Sequence, residues 1–169
     1  KHEHLPLQSD IGNRINVFQL GGANITPLAG FSLQARVLRR ENYRLDAGAE
    51  FSPIDLALGW GPMAEPGMAT KLNVSQSGRF YRCSWGNEGP PIPLETIISH
   101  SANMHLVPGN QGILNTLEKV SADDVVELDG WLIRIEKNDG WRWQSSMTRE
   151  DSGGGACELF YVCAVTIER

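Results

Sequence analysis

Residues 125–168 restrict what this chain can fold into more than any other segment. Three strand-like runs follow one another there: Val125–Glu136, Trp141–Met147 and Ala156–Glu168. Asp139-Gly140 lies between the first two, and Asp-Gly between apolar runs supplies the positive φ values that a tight hairpin turn needs. Trp131, Ile133 and Ile135 fall on one face of the first arm, and Trp141 and Trp143 on one face of the second. Aromatic and aliphatic side chains therefore pack across the pair. A strongly bent antiparallel C-terminal sheet, or a small barrel, is the expected centre of the fold.

Upstream the elements are short. Residues 1–14 read as an extended arm, in which His2 and His4 are solvated rather than ligating, and residues 15–169 as one domain. Phe31, Leu33, Ala35 and Val37 alternate with Ser32, Gln34 and Arg36, the period of a strand with one wet face. Ser52-Pro53-Ile54-Asp55 reads as a helix start, with Ser as cap, Pro at the first helical position and Asp near the positive end of the dipole. Gly59-Trp60-Gly61-Pro62 ends that helix and makes Trp60 the anchor of a turned loop. Arg79–Trp85 has strand character, Pro93–Ser99 makes one or two helical turns, and His100–Pro108 is mixed. Asn110 caps the clearest helix, whose Ile113, Leu114, Leu117 and Val120 form one apolar stripe. Eighteen glycines and nine prolines favour such short elements over an all-α chain. The expected class is α+β: one β-rich domain with a few short helices.

The formal charge of −5 argues against a general nucleic-acid binder, which needs a basic face to release counterions. A local basic cluster does exist at Arg36, Arg39, Arg40 and Arg44. The longest apolar run, Leu159–Val165, is strand-sized and far short of the ~18 residues that span a bilayer. The chain opens at Lys1, consistent with a processed product. Cys157 and Cys163 share one strand-like run and stand ~20 Å apart if extended, too far to pair. Three reduced cysteines is the simplest reading, and a bridge from Cys83 to either of the other two is the alternative.

Two segments concentrate polar chemistry. In Ser99–His105, His100 or His105 could act as a general base, with Ser101 and Asn103 beside them. Extended, the two histidines have opposite parity and face apart, so they make no zinc pair. No metal or cofactor is expected. In Ser145–Glu158 the glycines allow close approach of backbone to a ligand, Ser146 and Glu158 are polar flanks, and Arg149 could hold a carboxylate or phosphate. Cys157 follows the Gly-rich turn and becomes a thiolate nucleophile if a histidine stands near it. Each of these also has a plain structural use: a buried polar network, a hairpin loop and a core cysteine.

Long strings carry a resemblance: Ser52-Pro-Ile-Asp-Leu-Ala-Leu-Gly-Trp-Gly-Pro-Met63, His100-Ser-Ala-Asn-Met-His-Leu-Val-Pro108, and Leu128-Asp-Gly-Trp-Leu-Ile133 with Trp143 through Glu158 and its Ser-Ser-Met-Thr-Arg-Glu-Asp-Ser-Gly-Gly-Gly-Ala-Cys-Glu. They resemble a family of bacterial proteins of uncharacterised activity that carry an N-terminal membrane-spanning or export segment. The resemblance implies an extracytoplasmic or membrane-tethered location, with membrane contact only through an anchor outside this chain, and it implies no activity. The leading functional reading is a non-enzymatic, envelope-associated domain that binds a ligand or protein partner through Trp60, His100, Ser101, Asn103, His105, Ser146, Arg149 and Glu158. The alternative is a hydrolase or transferase using His100 or His105 as base with Cys157, Ser101 or Ser146 as nucleophile. A small-barrel oligonucleotide binder is a third reading, which the acidic balance opposes.

Overall fold

The computed structural model describes residues 5–12, 14–148 and 157–168. His2, His4, Arg149 and the Gly-rich stretch up to Ala156 lie outside the described residues. In chain order the elements are β1 (Leu7–Ser9), β2 (Phe18–Leu20), β3 (Ala23–Asn42), β4 (Ile54–Gly59), α1 (Met68–Lys71), β5 (Ser75–Ser77), β6 (Phe80–Arg82), α2 (Leu94–Ser99), β7 (Ser101–Pro108), α3 (Gln111–Leu117), β8 (Val125–Lys137), β9 (Arg142–Gln144) and β10 (Glu158–Glu168). A single 3-10 turn, Gly61–Ala64, follows β4.

Five of the strands close a ring. β3 pairs with β8 along Ala23–Arg36, then bends away and pairs with β4 along Arg36–Asn42. β4 pairs with β7, β7 with β10, and β10 with β8, which returns to β3. All these pairings are antiparallel except β7–β10. The expected strongly bent sheet is thus present, with one parallel joint. Closure gives each ring strand a ring neighbour on both sides over part of its length, although β10 beyond Val162 pairs only with β8.

The alternation of each strand decides what is inside. Phe31, Leu33, Ile54, Leu56, Met104, Leu106, Leu128 and Phe160 fill the interior, where Phe31 and Phe160 meet edge to face at 5.0 Å. Each such side chain stabilises the fold by ~1.5–3 kcal/mol on burial. Odd-numbered positions of β3 are buried from Ala23 to Val37, yet Ala23 and Ile25 join an outer cluster with Ile133, Ile135 and Leu159. The register shift between Pro27 and Ala29 inserts one residue and hands the same parity from the outer layer to the interior. The β8–β9 hairpin folds at Asp139-Gly140 as expected: Gly140 has φ +94° and its N–H donates to the Lys137 carbonyl. Helix α3 is capped as expected, with Asn110 Oδ1 accepting from the Ile113 N–H at 2.9 Å.

Two expectations fail. Ser52-Pro53 leads into strand β4, not a helix, and every residue of β4 is buried. Ile54, Leu56 and Leu58 alternate inward, and burial on both faces of a ring strand outweighs the local capping pattern. His100–Pro108 is likewise no mixed segment, since Ser101–Pro108 is a central strand with β4 on one side and β10 on the other.

Candidate functional site

Outward-facing positions of three neighbouring ring strands meet under the β8–β9 hairpin. On β7 the even positions Met104 and Leu106 enter the core, so Ser101, Asn103 and His105 face out. Asp55 of β4 is the direct register partner of His105. Leu159 of β10 is its partner on the other side, and Cys157 stands two residues earlier with the same parity. Sheet register thus brings Asp55 to His105, and Cys157, the residue just before β10, also contacts His105.

His105 Nδ1 lies 3.0 Å from Asp55 Oδ1, and the two side chains are 1% and 0% exposed. The contact is an ion pair set off the line of a straight N–H···O bond. Burial opposes a charge on the imidazole. The contact with the Asp55 carboxylate, and after it that with the Cys157 thiol, outweigh burial and lift the His105 pKa to about 9. His105 is thus an imidazolium at neutral pH. Trp143 covers it, ring centroids 5.2 Å apart and tilted by 39°. Glycine at position 48 permits this cover, because a Cβ there would sit 2.4 Å from Trp143 Cζ3.

Asp55 is held from two further directions. Its Oδ2 accepts from Asn103 Nδ2 at 2.9 Å, and Asn103 Oδ1 in turn accepts from Gln76 Nε2 at 2.7 Å. Its Oδ1 also accepts from Arg79 Nη1 at 2.7 Å. Arg79 reaches on to Asp46, whose carboxyl it holds below the ordinary carboxylate range. Above these groups opens a pocket of about 350 Å³ lined by His105, Cys157, Arg79, Phe80, Trp141 and Trp143, among others.

Of the residues singled out by sequence, the structure brings His105, Asn103 and Cys157 together and separates the rest. His100 closes α2, its Nδ1 between Ser99 Oγ at 2.9 Å and the Thr96 carbonyl at 3.0 Å, and its ring packs on Gly61. Trp60 is buried in the ring interior, so the Gly59–Met63 loop does not join the site. Ser101 Oγ donates to the Ile97 carbonyl at 2.6 Å and meets the Tyr81 hydroxyl, and neither histidine is a partner. Ser146 contributes its backbone, its N–H donating to the Cys157 carbonyl at 2.7 Å, while its Oγ serves the Thr148 carbonyl. Glu158 is buried with the parity of the interior residue Phe160 and does not line the pocket. Arg149 lies outside the described residues.

Sequence reasoning missed Asp55, Arg79 and Asp46. Asp55 did leave a signal, a lone charge within Ile54–Leu58 that marks a buried ionised group needing partners. All three cysteines are free. Burial raises the Cys83 thiol, and burial with help from Asp129 raises Cys163. No metal-binding grouping of His, Cys, Asp and Glu occurs among the described residues, and none of their helices is long and apolar enough to cross a membrane. No family model, curated protein or solved structure matches the chain.

Proposed function

We propose that the pocket is a thiol-based acyl-transfer centre, working as a hydrolase or transferase. The observation behind this reading is that Asp55 and His105 on adjacent strands stand beside Cys157, the residue just before β10, with His105 and Cys157 at the wall of one open pocket. Cys157 is half-buried and reachable, and a thiolate is the attacking form of cysteine. The imidazolium of His105 supplies its counter-charge, and Asp55 orients the ring. The sulfur attacks the acyl carbon of an ester or amide, forming a C–S bond. The leaving oxygen or nitrogen departs with its bonding pair and takes the His105 proton. In the second half His105, now neutral, removes a proton from water or another acceptor, whose attack on the thioester carbon expels the Cys157 sulfur as thiolate, releases the acyl group and restores the thiolate–imidazolium pair.

The test is iodoacetamide labelling at pH 7, located by peptide mass, of the wild type and His105→Asn. Cys157 should label at least ~10-fold faster than Cys83 and Cys163, whose thiols are raised, and His105→Asn should remove that advantage. A Cys157 no faster than the other two, with His105→Asn without effect, sinks the acyl-transfer reading. The same pocket would then serve a ligand held without covalent chemistry, between Trp141, Trp143 and Phe80.

A further inference from the structure

Arg79 sits where local backbone rules disfavour it. Residues 78 and 79 are the two-residue turn between β5 and β6, with Ser77 opposite Phe80. Both have positive φ, +58° at Gly78 and +72° at Arg79, as a type I′ turn requires. Glycine or asparagine takes the second position without strain, whereas an arginine there is strained. The surrounding structure enforces it: the Arg79 N–H donates to the Tyr43 hydroxyl at 2.9 Å, and the Arg79 carbonyl accepts from Asn103 Nδ2 at 3.0 Å.

The strain places a fully engaged guanidinium. Nε donates to Asp46 Oδ2 at 2.7 Å, Nη2 to Asp46 Oδ1 at 3.0 Å and to the Ser52 carbonyl at 2.8 Å. Nη1 donates to Ser52 Oγ at 3.3 Å and to Asp55 Oδ1 at 2.7 Å, so all five N–H groups are used. The plane lies over the Tyr43 ring at 4.0 Å and reaches Trp143 at 5.2 Å. Arg79 and His105 therefore address the same oxygen of Asp55. Arg79 has the shorter and better aligned contact, and His105 is left with an ion pair off the straight line.

We propose that Arg79 is a positioning residue that holds the Asp55 carboxylate partly away from His105, so that the imidazole proton stays transferable. This rests on the acyl-transfer reading, in which His105 must give a proton in one half-reaction and take one in the other. An Asp55 given wholly to His105 would trap the proton and stall the first half, in which the leaving group must take it. Among the described residues, the charged and titratable groups around the ring are Asp55 on β4, the Cys157 thiol before β10, Arg79 on the β5–β6 turn, and Asp46 behind Arg79; β9 presents Trp143 over the ring and Arg142 on the wall of the same pocket.

The test is Arg79→Asn, which keeps a residue suited to the left-handed turn and removes the guanidinium, with Arg79→Lys beside it. The His105 ring titration is followed by NMR in each protein, with near-ultraviolet circular dichroism to confirm native packing. In Arg79→Asn the midpoint should rise above its wild-type value of about 9, and Arg79→Lys should recover part of the change. A role confined to holding the hairpin moves the midpoint down or not at all, and that result overturns the proposal. The titration reads Arg79 whether or not the thiol reacts. An inert Cys157 with a raised midpoint thus condemns the acyl-transfer reading and leaves the control of Asp55 by Arg79 standing.

Discussion

Asp55→Asn removes the charge at the centre of the network while keeping its shape. The wild-type His105 titrates at about 9 when folded, against an ordinary value near 6.5. Its folded value is raised, so the linked stability is fully present below pH 6.5 and is lost as pH rises through about 9. At about 1.4 kcal/mol per pH unit, the interval amounts to roughly 3 kcal/mol. Removing one member of a buried pair costs ~3–5 kcal/mol where the remaining charge stays buried. Urea unfolding of wild type and variant at half-unit steps from pH 6.5 to 9.5 reads both quantities. At pH 6.5 the variant should be less stable by ~3–5 kcal/mol, and by pH 9.5 the gap should narrow by ~3 kcal/mol. Comparing the two proteins cancels Cys83, Cys163 and Tyr81, whose raised values add alkaline slopes to both, while Tyr43, raised partly by Asp55, adds a small difference of its own. Parallel curves would refute the argument, since they would mean that Asp55 does not hold the His105 proton.

Three further outcomes follow from the geometry. Gly48→Ala should push Trp143 off His105, because the new Cβ would lie 2.4 Å from the indole; the near-ultraviolet dichroism should change with the far-ultraviolet spectrum intact, and stability should fall by ~1–3 kcal/mol. Phe160→Ala should cost ~3–5 kcal/mol in denaturant unfolding, since it empties the ring interior opposite Phe31. Asn110→Ala should cost ~1 kcal/mol through the lost cap of α3, with the Cys157 labelling rate unchanged.

The parts of the fold legible in sequence are those whose signal is local. Asp139-Gly140 names its own turn, Phe31–Val37 its own alternation, and Asn110 its own helix. β4 was opaque because Ser-Pro-Ile-Asp carries a genuine helix-start pattern, and only its position between β3 and β7 reverses that preference. The candidate site divides the same way. His105 and Cys157 could be named by chemistry, but Asp55 became their neighbour through a register 50 residues distant in the chain, visible only once Asp55 faces His105. Arg79 lies on a hairpin outside the ring, and nothing in its local sequence says which carboxylates it will meet.

The order in which the ring closes has a consequence for biosynthesis. β7 and β8 are made before β10, which later lies between them, parallel to one and antiparallel to the other. A nascent chain on the ribosome can already oppose Asp55 and His105, whereas the thiol can join them only when the final strand emerges and inserts. Until then β7 and β8 expose edges open to wrong pairing, and such long-range closure is slow. Whatever chemistry the pocket performs is thereby withheld from every nascent chain that has not yet placed β10: the insertion that seals the ring also brings Cys157 to His105.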